Sequence, residues 1–397
     1  MQEKSKVCAV ICELNPLHSG HQALFAHAKA HFEGLVCVLS GNFVQRGEPA
    51  ILDKWARTRL ALASGADLVA ELPLPWACAG AERFAAGGVA VARGLGCVDS
   101  LLFGSEEKDI RPLWDLAKAL LSPEFSQALG RVDPTLPFAR RRQQAAALLA
   151  GEKTAALLEK PNCILGVEYL KALLVQGGGM EAQVFPRLGA GHDLPDREGA
   201  ILSASQARQL LAAGEDLSGR LPELTLNAWR EQAERGACPA SLSRLERAVL
   251  CKLRSMTVED FSRLPDVSEG LEHRLRQAAR QAGSLEEFYA LVKSKRYSHA
   301  RVRRLCMSAF LGLTRDLPPL PLYLRVLGMT PAGQEILRQA RPSLPLALRA
   351  GDFSRLGGEA LSLFELEARS GDLYGLALPR PTPCGRDYTE RLVKVGF

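Results

Sequence analysis

The sequence predicts an α/β protein in which a parallel β-sheet covered by helices is followed by a helical C-terminal half. In the first hundred residues, short apolar runs alternate with helical stretches, which is the pattern of a parallel sheet. After about residue 215 the strand signals fade and amphipathic helices dominate. A length of 397 residues also exceeds the usual size of one domain. We therefore expect two domains, or one large domain with an appended module.

Five strands are predicted in the N-terminal part. The apolar runs at 7–11, 35–39, 66–72 and 100–103 are bounded by glycine, proline or polar residues, as buried strands are. Helices such as 55–64 lie between them, and 183–185 is expected to form a last strand. The stretch before that strand is rich in Ala and Leu, with charged residues at helical spacing. We therefore predict a domain of residues 1–215 with a helical insertion at about 107–180.

The predicted second domain, residues 216–397, is helical and basic. Amphipathic patterns at 242–253, 270–282 and 285–292 are typical of helices packed on one face. The Pro-rich stretches at 317–321 and 379–383 indicate connections between elements.

The composition indicates a soluble, cytoplasmic protein. No apolar run reaches the roughly 18 residues that a membrane span needs, and no secretory signal precedes the first strand. The ten cysteines include no C-x-x-C pair, so we expect reduced thiols rather than a disulfide framework or a zinc ribbon. The formal charge of +6 is mild, so the clustering of Lys and Arg matters more than their sum.

The first strand leads into a turn, ELNPLHSGH at 13–21, that precedes an Ala-rich helix predicted at 22–30. Open α/β sheets bind nucleotides at such turns, because the next helix directs unpaired N–H groups and its positive dipole end at phosphate. His18 and His21 are three residues apart, so their rings can point the same way and donate hydrogen bonds to phosphate oxygens. Gly20 lets a ligand approach the backbone. We expect His18 and His21 to be catalytic.

Two other interpretations of this turn are open. An H-x-G-H tetrapeptide also occurs by chance, with histidines that only cap the helix or lie on the surface. His27 and His31 are four residues apart on the same helix and raise the possibility of zinc, but no glutamate follows His27 as in H-E-x-x-H. We expect these two side chains to face solvent, and we assign no metal ligands.

The H-x-G-H turn after a first strand resembles that of the nucleotidyltransferase superfamily, which includes the class I aminoacyl-tRNA synthetases with their HIGH signature. Further blocks resemble one family, the tRNA(Met) cytidine acetate ligases, and they extend over nearly the whole chain. These blocks are SGNFVQRGEPAILDKWARTRLAL (40–62), FGSE (103–106), PNCILGVEYLKAL (161–173), PRLGAGH (186–192), LPDVSEGLEHRL (264–275), KSKRYSHARVRRL (293–305) and YLRVLG (323–328). Leu14 and Leu17 depart from the family pattern, in which aromatic residues are usual.

The resemblance implies a Rossmann-like, HUP-type nucleotidyltransferase domain followed by an all-α domain. It implies that acetate is activated with ATP to acetyl-adenylate and pyrophosphate, and that the acetyl group is transferred to N4 of the wobble cytidine of elongator tRNA(Met). Because acetate must attack the α-phosphate in line, such an enzyme needs charge stabilisation more than a covalent nucleophile. Mg²⁺ is expected on general grounds as the companion of ATP.

The resemblance also implies an ATP site spread over several elements. Its residues are Ile11, Cys12, Glu13, Asn15, Pro16, His18, Gly20, His21, Gly104, Asn162, Arg187, Leu188, Ser203, Ser205 and Arg208. The last three resemble the S-x-S/T-x-x-R signature, in which hydroxyls and an arginine face the β- and γ-phosphates. Each assignment outside the H-x-G-H turn has a structural alternative, such as a turn glycine, a helix cap or a surface cation. Gln45, Arg46, Asp53 and Lys54 lie in the densest family block and receive no role.

A run of basic residues predicts the RNA-binding surface of the second domain. It consists of Lys293, Lys295, Arg296, Arg301, Arg303 and Arg304, interleaved with Tyr297, which can stack on an unpaired base. The alternative is a solvated helix face. The three arginines at 140–142 are a weaker candidate.

Two rival functions are open at this point. A small-molecule adenylyltransferase explains the N-terminal half equally well but leaves the basic helical half without a purpose. A non-catalytic RNA-binding protein with a vestigial nucleotide site is disfavoured by the intact H-x-G-H residues and Arg208.

Overall fold

A computed structural model describes residues 5–186, 202–268, 270–294 and 297–397. Its centre is an eight-stranded sheet of order β10-β8-β5-β2-β1-β6-β7, with β9 paired to β8, and a separate hairpin joins β3 and β4. The strands are β1 (Ser5–Cys12), β2 (Phe32–Ser40), β3 (Phe43–Val44), β4 (Glu48–Pro49), β5 (Leu68–Leu72), β6 (Ser100–Ser105), β7 (Glu181–Pro186), β8 (Leu324–Met329), β9 (Leu346–Ala347) and β10 (Val393–Lys394).

Helices cover the sheet and form most of the remaining structure. They are α1 (Ser19–His31), α2 (Lys54–Ala63), α3 (Leu74–Ala77), α4 (Ala81–Gly94), α5 (Ile110–Leu121), α6 (Pro123–Arg131), α7 (Phe138–Ala150), α8 (Glu152–Ala155), a 3₁₀ turn (Ala156–Glu159), α9 (Pro161–Val175), α10 (Ala204–Ala212), α11 (Glu223–Glu234), α12 (Leu242–Ser255), α13 (Val258–Ser262), α14 (Leu271–Gln281), α15 (Leu285–Val292), α16 (His299–Leu311), α17 (Pro331–Gln339), α18 (Ala350–Leu356), α19 (Gly358–Gly375) and α20 (Arg386–Thr389).

The strand order positions the functional cleft. β1 pairs in parallel with β2 on one side and with β6 on the other, so the chain winds outward in both directions from β1. Ligands of open α/β sheets bind where the strand order reverses, outside the carboxyl ends of the strands. In this sheet that place lies between the ends of β1 and β6.

The two faces of the sheet have separate cores. Because side chains alternate along a strand, Ile11 and Cys12 at the end of β1 point to opposite faces. Cys12 belongs to a core that contains Leu24 of α1 and Ala207 of α10. Ile11 belongs to the other core, which contains Tyr169 of α9. The cleft at the end of β1 is thus flanked by α1 and α10 on one face and by α9 on the other.

All five strands expected in the N-terminal part form, as β1, β2, β5, β6 and β7, and helices α5 to α9 lie between β6 and β7. The boundary at residue 215 remains a prediction.

The expectation of an all-α C-terminal half needs correction, because β8, β9 and β10 join the sheet. β8 pairs antiparallel with β5, and all six of its residues are buried. It covers a strand edge of β5 that would otherwise expose unpaired N–H and C=O groups. A six-residue segment that is interrupted by Arg325 and follows a Pro-rich connection gives only a weak strand signal in the sequence.

A buried cluster of charges joins this C-terminal part to the sheet. Lys54 Nζ lies 2.6 Å from Glu71 Oε1, 2.5 Å from Asp387 Oδ1 and 3.5 Å from Glu367 Oε1. Arg325 Nη1 contacts the same Glu71 and Asp387 carboxylates. All five side chains are at most 5 % exposed, so the charges are paired away from water. We refer to these five residues as the buried charge cluster.

Two general predictions concern the membrane and the cysteines. Within the described ranges, no helix is both long and apolar enough to cross a membrane. All ten cysteines are free thiols, and seven of them are buried.

Candidate active site

A cleft of about 640 Å³ opens at the carboxyl ends of β1 and β6. This volume is in the range of small-molecule sites. It is lined by the turn after β1, the start of α1, the β3–β4 hairpin, the end of β6, the start of α9 and the start of α10. Several elements that are distant in sequence therefore converge on it.

The turn after β1 is held from beneath by Arg57 of α2. This guanidinium has no exposed surface and donates hydrogen bonds to the carbonyl oxygens of Glu13 (2.7 Å), Ser40 (3.0 Å) and Leu52 (3.0 Å). Leu14 within the turn has a φ of 48°, an uncommon backbone conformation for a branched residue. The buried hydrogen bonds of Arg57 fix this turn before any ligand arrives.

His18 and His21 form a reciprocal cap at the start of α1. The Nδ1 atom of His18 accepts a hydrogen bond from Gly20 N at 3.1 Å, and the Nδ1 atom of His21 accepts one from His18 N at 3.3 Å. The rings are stacked, with centroids 3.9 Å apart. Because Nδ1 is an acceptor in both rings, the proton of each neutral imidazole lies on Nε2. The two histidines therefore cap the helix, which is the structural alternative named for them, and they also line the cleft.

Gly20 leaves little room for a side chain beside the same cap. A Cβ atom at this position would lie 3.0 Å from Cε1 and 3.1 Å from Nδ1 of His18. Any side chain would therefore press on the capping ring.

Arg208 connects α10 to the turn after β1. Its Nη1 donates to Asn15 O at 2.9 Å, and its Nη2 lies 3.3 Å from Ser205 Oγ. Ser205 Oγ also accepts a hydrogen bond of 2.8 Å from Arg46 of the β3–β4 hairpin. Ser203 caps α10 in a box with Gln206, which is the structural alternative named for it. Two guanidinium groups thus converge on one edge of the cleft.

Glu48 links this edge to α16. Its two carboxylate oxygens lie 3.1 Å from Arg208 Nη2 and 3.0 Å from Arg303 Nη2. The neighbouring turn residue, Gly47, adopts a φ of 70°, and a Cβ there would come within 2.9 Å of the Arg303 carbonyl. The hairpin is therefore packed directly between the cleft and the basic helix.

At the end of β6, Gly104 lines the cleft and Glu106 caps α9. The Glu106 carboxylate accepts hydrogen bonds from Asn162 Nδ2 at 2.5 Å and from Cys163 N at 3.0 Å. Burial acts to raise the pKa of Glu106, but the hydrogen bonds from Asn162 and Cys163 outweigh it and leave that pKa lowered. An ionised Glu106 therefore holds Asn162 at the cleft.

Known proteins match both the sequence and this architecture. The family model described as HIGH Nucleotidyl Transferase matches residues 5–388. A tRNA(Met) cytidine acetate ligase of Acetivibrio thermocellus is 34% identical over 98% of this chain and 99% of its own, and one of Alkaliphilus metalliredigens is 33% identical over 94% of each. The chain belongs to the tRNA(Met) cytidine acetate ligase family, within the HIGH nucleotidyl transferases.

Solved structures of the family agree with the fold. Thermotoga maritima TmcAL, as an apo structure and as one bound with alpha-thio ATP, superposes with a TM-score of 0.91 at 30% identity, covering 99% of this chain and all of that one. The family prediction and the HUP-type fold are confirmed, and with them the prediction that the chain is an enzyme of the ligase class.

Most of the residues that the family resemblance assigned to ATP meet at the cleft. Those that line it are Ile11, Cys12, Glu13, Asn15, His18, Gly20, His21, Gly104, Asn162, Ser203, Ser205 and Arg208. Pro16 is buried in the turn and does not line the cleft. Arg187 and Leu188 lie outside the described residues.

The family blocks contain cleft residues that the sequence reasoning left without a role. Gln45 and Arg46 line the cleft, as do Phe84 and Tyr169. Membership in the blocks at 40–62 and 161–173 was the signal for Gln45, Arg46 and Tyr169. Phe84 lies outside the family blocks.

Asp53 and Lys54 lie away from the cleft. Asp53 caps α2 through Ala56 N at 2.7 Å and pairs with Arg386 at 2.8 Å, while Lys54 belongs to the buried charge cluster.

The basic run around α16 is only partly solvated. Lys293 is exposed, whereas Arg301 is half-buried, with its guanidinium 5.2 Å from the Tyr297 ring. Arg304 is also half-buried, and burial lowers its pKa. Lys295 and Arg296 lie outside the described residues. Arg303 and Arg304 therefore contact protein, and the simple picture of a solvated helix face does not describe them.

The two histidines named as unlikely zinc ligands differ in exposure. His31 is exposed as expected, while His27 is half-buried against Phe185, with ring centroids 5.1 Å apart.

Proposed function

We propose that the protein activates acetate with ATP, forming acetyl-adenylate and pyrophosphate, and transfers the acetyl group to N4 of the wobble cytidine of elongator tRNA(Met). The observation that carries this proposal is the stacked His18–His21 pair at the start of α1, which lines the same cleft as Arg208. Family membership and the alpha-thio ATP complex of Thermotoga maritima TmcAL support it.

In the first step, an acetate oxygen attacks the α-phosphorus while the bond to pyrophosphate breaks. Negative charge then grows on the phosphate oxygens, so preorganised donors around them lower the barrier. The Nε2–H groups of His18 and His21 and the N terminus of α1 are suited to this role. Arg208 and Arg46 are suited to hold the leaving pyrophosphate, because guanidinium groups form paired hydrogen bonds with phosphate.

The remaining ATP contacts are proposed on the same basis. Gly104 and Asn162 line the side of the cleft formed by β6 and α9, and Ser203 and Ser205 begin α10 beside Arg208. Arg187 and Leu188 stay predictions of the family resemblance.

Mg²⁺ is expected to accompany ATP. Among the described residues, no group of three or more His, Cys, Asp or Glu side chains is arranged to hold a metal ion. Mg²⁺ bound to a nucleotide takes many of its ligands from phosphate and water, so few protein ligands are needed. It would neutralise phosphate charge, and no protein ligand is assigned to it.

In the second step, the cytidine amine attacks the acetyl carbonyl of the mixed anhydride, AMP leaves with the electrons of the broken C–O bond, and the amine releases one proton. The basic residues of α16 are proposed to hold RNA phosphates near the cleft, since Arg303 is connected to Arg208 through Glu48. Such an enzyme acts in the cytoplasm, which is the proposed location.

The direct test is incorporation of label from ¹⁴C-acetate into transcribed elongator tRNA(Met), with and without ATP. His21→Ala is the informative variant, and His273→Ala is its control because His273 lies on α14 with 73% of its side chain exposed. We expect ATP-dependent label with the native chain and with His273→Ala, and a loss of at least about 100-fold with His21→Ala. If no label appears and pyrophosphate is released only with another small substrate, the chain is an adenylyltransferase instead.

A further inference from the structure

Three buried polar groups line the cleft without a hydrogen-bond partner among the described residues. They are Asn15 Nδ2, Gln45 Nε2 and Tyr169 Oη. Buried polar groups in folded proteins are nearly always paired, so each such exception calls for a ligand or water. Asn15 is already assigned to the nucleotide, whereas Gln45 and Tyr169 have no assigned partner.

Tyr169 is 2 % exposed, and its ring packs on Phe103 at a centroid distance of 5.5 Å. Burial raises the pKa of the phenol well above its ordinary value, and the nearby Cys12 and Glu13 add to that shift. The hydroxyl therefore remains protonated and can donate a hydrogen bond.

Gln45 reaches the same region from the β3–β4 hairpin. Its backbone N donates to Glu13 Oε1 at 2.8 Å, which fixes the residue beside the end of β1. Gln45 and Tyr169 therefore line the same cleft from different elements, one from a hairpin and the other from α9. Burial raises the pKa of Glu13, although the hydrogen bond from Gln45 N and the nearby Arg57 and Arg208 act to lower it.

The proposed phosphate-binding groups and Tyr169 lie on opposite faces of the sheet. α1 and α10, with the proposed phosphate-binding groups, pack on the face of Cys12, whereas Tyr169 belongs to the core of the Ile11 face. In-line displacement requires the attacking oxygen to approach the α-phosphorus opposite the leaving pyrophosphate. A nucleophile held on the α9 side meets this requirement when pyrophosphate leaves towards α10.

We propose that Gln45 and Tyr169 bind the carboxylate of acetate. This inference rests on the proposed function. One acetate oxygen forms the new bond to the α-phosphorus, and the electrons of the broken P–O bond leave with pyrophosphate, so no proton is transferred. Neutral donors suit the task, because a directly paired cation would hold the nucleophilic charge more tightly than an amide or a phenol does.

The test is acetate-dependent exchange of labelled pyrophosphate into ATP, measured without RNA. Tyr169→Phe removes only the hydroxyl, and Gln45→Met keeps the chain length but removes the amide donor. Each variant is expected to raise the KM for acetate roughly tenfold, the ratio that one lost hydrogen bond gives, while the KM for ATP stays within about twofold. Tyr289→Phe is the matched control, because Tyr289 is a phenol buried in α15 away from the cleft.

An unchanged KM for acetate in both variants overturns the subsite, as does a parallel rise in the KM values of acetate and ATP. Thermal melting of each variant identifies a folding defect, and Gln45→Met decides alone if Tyr169→Phe does not fold. Absence of acetate-dependent exchange in the native chain is a different result, since it refutes the proposed function itself.

Discussion

Replacement of Lys54 by methionine tests whether this residue of the densest family block is structural or functional. The lysine has no exposed surface and contacts three carboxylates, of Glu71, Asp387 and Glu367, at 2.6, 2.5 and 3.5 Å. Methionine fills a similar volume without charge. The variant leaves Arg325 as the only cation of the buried charge cluster beside those carboxylates.

The expected loss of folding stability in Lys54→Met follows from this arrangement. Removing one partner of a buried ion pair costs about 3–5 kcal/mol, because the remaining charge is left uncompensated. The entropy of unfolding scales with chain length, and for 397 residues the loss corresponds to a melting temperature lower by about 4–6 °C.

The assay is thermal melting at pH 7.5, with Lys29→Met as the matched control. Lys29 pairs with Asp67 at 2.8 Å but is 38% exposed, so its loss should cost at most about 1 kcal/mol. Below the melting temperature, Lys54→Met should keep the native KM for ATP and acetate. A melting temperature within 1–2 °C of the native value, or a selective loss of substrate affinity, would refute the structural role.

Three further predictions concern the buried charge cluster, the histidine cap and the basic run around α16. Burial raises the pKa of Glu367 from its ordinary value of 4.5 to about 8, so the folded state keeps a proton that the unfolded state releases between these values. The contribution of Glu367 to stability therefore falls as the pH rises from 4.5 to 8, and Glu367→Gln should raise the melting temperature more at pH 8.5 than at pH 5; an equal shift at both values would contradict this. Gly20→Ala places a Cβ 3.0 Å from the His18 ring, so pyrophosphate exchange should slow roughly tenfold while stability changes by less than about 1 kcal/mol. Native exchange rates in that variant would show that the cap tolerates displacement. Lys293→Ala, at an exposed position of the basic run, should weaken tRNA binding and reduce the slope of log affinity against log salt by about 1, with exchange in the absence of RNA nearly unchanged. An unaltered salt slope, measured by filter binding from 50 to 200 mM salt, would place the RNA elsewhere.

The site itself was predictable in part. The residues of the turn at 13–21 lie in one segment, so their spacing alone indicated a phosphate-binding cap after a first strand. Gly104, Asn162 and Arg208 were identified through family resemblance, because nothing local distinguishes them from a turn glycine, a helix cap or a surface cation. Even less in the sequence marks Tyr169 as a cleft residue, since a tyrosine inside an apolar helix is ordinarily a core residue.

By itself, the sequence determined three features. They are the five strands β1, β2, β5, β6 and β7, the helices between β6 and β7, and the family. These features are encoded in hydrophobic periodicity and in contiguous motifs, which can be read without knowing what each segment contacts. Only the tertiary structure decided that β8 to β10 complete the sheet, that Lys54 pairs with Asp387 across 333 residues, and that Glu48 joins Arg208 to Arg303. Strand edges and ion pairs depend on partners far along the chain, and one-dimensional spacing does not specify those partners.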